Sequence, residues 1–75
     1  MRKEAVTMKV KANINLFKLR AANGLTIHDL AEKAGVPEAT ISRAENGKAL
    51  SVKSAGKLSK ALDATFETLF FIERN

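Results

Sequence analysis

Arg43 stands in the stretch EATISRAENGK, with Ser42 beside it, Ala39 one helical turn before it and Asn46 almost one turn after it. A guanidinium is a planar fork of N–H donors that can hold two acceptors at once, as on the major-groove edge of guanine. At 100° per residue, Glu38, Ala39, Ser42, Arg43 and Asn46 fall on one side of a helix, and Pro37, Thr40, Ile41 and Ala44 on the other. The first side is short or polar, a shape that a DNA major groove admits. Ala39 offers a methyl for thymine, and Glu38 an acceptor for the amino group of cytosine. A merely solvated face has the same pattern, and one helix alone favours that reading.

Other chemistry finds little to work with. His28 is the only histidine; beside Asp29 but not facing it, it reads as a solvent-facing residue. A metal site needs more ligands than this chain gathers around that histidine. No serine or threonine has a base to activate it, and no glycine-rich phosphate loop is present. With no cysteine, disulfides, thiolate nucleophiles and cysteine-bound metals are excluded. The expectation is no catalysis, no cofactor and no metal.

The elements that position Arg43 must come from a chain of 75 residues, enough for one domain with one modest core. No apolar run approaches the roughly 20 residues that a bilayer requires, and no signal peptide is read at the start. A cytoplasmic protein without membrane attachment is expected. The net charge is +5 and unevenly spread: residues 48–60 hold four lysines and no acid, and Arg2, Lys3, Lys9 and Lys11 cluster near the start. Between them, residues 24–47 carry more acids than bases. Two basic stretches around a slightly acidic middle suit an anionic partner touched at two places.

Residues 5–11 alternate, with Val6, Met8 and Val10 on one side, so a short strand is expected there; it must pair with something or stay loose. A first helix is expected over Asn13–Asn23, stopped by Gly24. Thr26 caps a second, Asp29 completes an approximate capping box, and Gly35 ends it. A third begins at Pro37 and ends at Asn46-Gly47, a fourth covers Ser51 to Leu62 with Lys53, Lys57 and Lys60 on its far side, and Thr65 caps a short fifth. Ala31, Gly35 and Ile41 each have a steric role in the corner between the second and third: close approach, a left-handed turn and a core anchor. The organisation read from these signals is an N-terminal extension, residues 1–12, followed by an all-α five-helix domain, residues 13–75.

The phrases LAEKAGV, TISRAENGK and LSKAL, together with FKLRAANGL before them, resemble the helix-turn-helix of the lambda repressor and Cro family over about residues 13–71. That resemblance implies a DNA-binding regulator. It gives Arg20 and Glu45 the role of a structural ion pair beneath the corner. It makes Thr26, Asn46, Lys48 and Lys53 phosphate contacts, and places Glu38, Ala39, Ser42 and Arg43 against base edges. Ile27 departs from the family's usual glutamine, and Ala44 from a bulkier core residue. Phe71 and Ile72 are apolar beyond what so small a core can bury and are assigned to a dimer interface.

The reading that results is a sequence-specific transcriptional regulator, a repressor or Cro-like protein, binding double-stranded DNA at a palindromic operator as a homodimer. Two alternatives stay open. One is an antitoxin that regulates its own promoter and holds a toxin through its C-terminal end. The other is a protein-interaction module that kept the fold without DNA, which Ile27, Glu38 and Ala39 would suit.

Overall fold

The structure is a computed structural model and describes residues 8–74. Its order is β1 (Met8–Ala12), α1 (Leu16–Ala22), α2 (Ile27–Ala34), α3 (Glu38–Glu45), α4 (Val52–Ala61), α5 (Phe66–Leu69) and β2 (Phe70–Arg74). Five helices carry the bulk of the fold, and a two-stranded sheet joins its two ends.

Four of the five helices begin where a side chain satisfies a free N–H group, while α3, with Pro37 at its N-cap, has no side-chain cap. The Asn15 side chain accepts from Lys18 N–H, Ser51 from Ser54 N–H and Thr65 from Thr68 N–H. Thr26 and Asp29 form a complete capping box on α2. The first helix is shorter than its expected Asn13–Asn23 span because Asn15 caps it and the Asn13 N–H is already committed to the Leu69 carbonyl, 2.7 Å away. Gly35 closes α2 at φ 74°, in the left-handed region. Asp63 turns the chain after α4 at φ 54°, without the glycine that region favours.

The core gathers Leu30, Ile41, Ala44, Ala55, Leu58, Leu62, Leu69 and Phe70 from α2 to β2. The small residues Ala31, Ala44 and Ala55 are all buried, which lets the helix backbones come close. Pro37, expected on the core side of α3, is exposed at its N-cap, while Thr40, Ile41 and Ala44 are buried.

β1 and β2 pair antiparallel, with Val10 opposite Ile72 and Ala12 opposite Phe70. The strand expected over residues 5–11 is placed at Met8–Ala12, and its Val6 end lies outside the described residues. β2 has no counterpart in the expected five-helix domain. The expected domain began at residue 13, with an extension before it. Val10, however, is only 3% exposed and Phe70 2%, so the sheet packs into the same core as the helices. Successive strand residues point to opposite faces, so Val10, Phe70 and Ile72 share the core-side face. Lys9, Lys11, Phe71 and Glu73 share the other.

Candidate nucleic-acid interface

The corner between α2 and α3 turns within Gly35, Val36 and Pro37. Gly35 N–H and Val36 N–H both donate to the Ala31 carbonyl, at 2.8 and 3.1 Å. Buried Val36 and Ile41 hold the two helices together from inside. The outer side of α3 is thereby left open: Glu38, Ala39, Arg43 and Asn46 are exposed and Ser42 is half-buried. Glu38, Ala39, Ser42 and Arg43, the positions expected to meet base edges, therefore share one surface, with Arg43 its only long cation. Asn46 adds a constraint of its own, since its side-chain amide donates to the Ser42 carbonyl at 2.8 Å.

Beneath the corner, Arg20 is buried. Its Nε donates to Glu45 Oε2 at 2.6 Å, its Nη2 to Glu45 Oε1 at 3.1 Å and its Nη1 to the Leu25 carbonyl at 3.0 Å. The two side chains are only 10% and 11% exposed. One guanidinium thus ties α1, the α1–α2 loop and the end of α3 together with bidentate geometry. The bond to Glu45 raises the Arg20 pKa further above its ordinary value. The Phe17 ring lies against the same guanidinium, its centroid 5.1 Å from Cζ.

The phosphate candidates Thr26, Asn46, Lys48 and Lys53 are all exposed. Thr26 is exposed at the N-cap of α2, where its Oγ1 accepts from Asp29 N–H at 3.0 Å and its own N–H donates to Asp29 Oδ2 at 3.0 Å. The Thr26 N–H bond to the Asp29 carboxylate, then the Thr26 side chain, hold the Asp29 pKa below its ordinary value. Lys48 is exposed in the loop after α3, and Lys53 is exposed in the first turn of α4. Ile27, where the family's glutamine would brace the reading residues, is half-buried against the core.

One contact escaped sequence reasoning. His28 is exposed, as expected, but it is not idle: its Nδ1 lies 2.9 Å from Glu38 Oε2, across the corner, and its Nε2 lies 3.5 Å from Glu32 Oε2. The bond to Glu38, then the Glu32 charge, raises the His28 pKa. Ten residues separate His28 from Glu38 in the chain, and no local pattern joins them; the only signal was an imidazole and a carboxylate on either side of a tight turn.

Phe71 and Ile72, the dimer candidates, are 41% and 48% exposed on opposite faces of β2. Among the described residues no group of three or more histidines, aspartates and glutamates could hold a metal, and no helix is long and apolar enough to cross a membrane.

Comparison with known proteins agrees with this geometry. The helix-turn-helix family model matches residues 16–69, which run from the first residue of α1 to the last of α5. A solved structure of SinR, described as the master regulator for biofilm formation, in complex with DNA is 31% identical. The match covers 71% of this chain and 87% of that one, with a TM-score of 0.64. The transcriptional regulator VanUg is 20% identical, over 99% of this chain and 100% of its own, with a TM-score of 0.66; at that identity the likeness speaks to the fold alone. No curated protein sequence matches the chain significantly.

Proposed function

This chain belongs to the Cro/C1-type helix-turn-helix family of DNA-binding transcription regulators, and we propose that within it the protein is a repressor or Cro-like regulator that reads a palindromic operator as a dimer. The observation that carries this reading is the outer face of α3, where Arg43 stands exposed among Ala39, Ser42 and Asn46 on a helix pinned from behind by the Arg20–Glu45 pair. SinR was solved in complex with DNA, which supports double-stranded DNA as the ligand. Arg43 is the main base reader, most simply of guanine, while Glu38, Ala39 and Ser42 complete the face that meets base edges. Thr26, Asn46, Lys48 and Lys53 hold phosphates, with the positive N-terminus of α2 behind Thr26. Phe71 and Ile72 form the dimer contact.

Reading and holding separate experimentally. Arg43→Ala should cost about 1–3 kcal/mol on the preferred site and relax the preference at one base pair. Lys53→Ala should weaken binding to all sequences alike and lower the slope of log K against log salt by about one. Titrations of preferred and unrelated duplexes at two salt concentrations check both. An Arg43→Ala chain that loses affinity equally for every sequence, with its base preference intact, would remove α3 from the reading role.

A further inference from the structure

The helix-turn-helix match stops at α1 and α5, so the β1–β2 ribbon lies outside it, yet the ribbon carries lysines to the edge of the α3 surface. The connection is a backbone bridge: Leu50 N–H donates to the Val10 carbonyl at 2.9 Å, fixing β1 beside the loop that leaves α3. Val10 points into the core, so its neighbours Lys9 and Lys11 must point to the opposite face of the strand. There they meet Asn46 and Lys48 around an open cleft of about 330 Å³ with no acidic residue in its lining. Lys9 and Lys48 are exposed, and Lys11 is half-buried. Glu73, across the ribbon, holds Lys11 at 2.9 Å, so the cleft has a nearby anion competing for one of its three ammonium groups. The hydrogen bond from Lys11, then the Lys11 and Lys9 charges, hold the Glu73 pKa below its ordinary value.

We propose that Lys9, Lys11 and Lys48 form a phosphate clamp that grips the DNA backbone beside the half-site read by α3, extending the footprint beyond the helix-turn-helix. The inference rests on the DNA-binding reading above and adds the ribbon to its contact surface. Asn46 belongs to both surfaces: it ends the outer stripe of α3 and lines the cleft, so a duplex seated against Arg43 continues toward the lysines. Three ammonium groups converging from a strand and a loop suit successive phosphates of a strand, whose contacts carry affinity without sequence information.

The test uses the full chain with Lys9→Gln, Lys11→Gln and the double variant, each checked for an unchanged melting temperature. Against Lys48→Gln, the double variant should match or exceed the loss of affinity. It should flatten the salt slope by roughly one to two and leave the selected base preference as in the wild type. Glu73→Gln should move the other way: freeing Lys11 raises affinity for all sequences, which lost packing alone would not do. Ethylation interference on a preferred duplex should lose its outermost phosphates in the Lys9→Gln/Lys11→Gln chain. If that double variant keeps wild-type affinity and slope while Arg43→Ala loses base preference, the clamp is wrong and the reading role of α3 stands. If the wild-type chain shows no salt-dependent binding to any duplex, both fall.

Discussion

The His28–Glu38 contact gives the corner a charge that depends on pH. Glu38 alone would set a carboxylate at the edge of the proposed DNA surface, where phosphates would repel it. A protonated His28 neutralises it, and Glu32 and Asp29 on α2 add to the attraction for that proton. Because the bond raises the folded-state pKa of His28, its contribution to stability is full below the ordinary value of 6.5 and is lost as pH rises through the raised one. DNA affinity should therefore rise as pH falls from about 8 to 6, where an imidazole titrates, and His28→Gln should flatten that dependence. An NMR titration of His28 tests the cause directly. A midpoint at or below the ordinary imidazole value would show that the Glu38 bond does not persist in solution. The pair was invisible in the sequence because His28 reads there as a solvent-facing residue and Glu38 as a base contact, with nothing local to join them; both are exposed.

The elements were legible in proportion to how local their signals are. Thr26 with Asp29, Gly35, Ser51 and Thr65 mark helix ends by residue type at fixed spacing, and each acts at the terminus where it was read. β2 was not legible, because FFIER has no alternation and its partner lies at the other end of the chain. The exact partner of Arg20 was available only through the family resemblance, since 25 residues separate it from Glu45. That pair governs how α1, α2 and α3 sit together. Removing the guanidinium strands a buried carboxylate, and Arg20→Ala should lose about 3–5 kcal/mol of stability. In a domain this size each kcal/mol moves Tm by about 4–8 °C, so thermal melting should fall by at least ~12 °C. An unchanged Tm would mean that the bidentate bond contributes nothing net.

For the whole molecule, the ribbon bears on how two copies would meet in the proposed dimer. The Val10 carbonyl points toward Leu50, away from β2, so Val10 and Ile72 form a non-hydrogen-bonded pair in the antiparallel ladder. The Ile72 N–H and C=O then face the outer edge of β2, which has no strand partner among the described residues. Phe71 and Ile72 point to opposite faces, so one flat contact cannot cover both; in the proposed dimer, edge-to-edge pairing of two β2 strands would bring both to the seam and would be symmetric. Ile72→Asp would bring a carboxylate from each copy into that edge. Sedimentation should show dimerisation on DNA reduced with the fold intact, and undiminished dimerisation would place the interface elsewhere. In the proposed dimer, symmetric pairing would also set the operator, since two copies related by a two-fold axis would read two inverted half-sites about one helical turn, roughly 34–36 Å, apart. Selection of bound duplexes from a random pool by the wild-type chain tests this most directly. An enriched inverted repeat with that spacing and a guanine in each half-site is expected, and a pool with no enriched sequence after repeated rounds would contradict sequence-specific regulation by this protein.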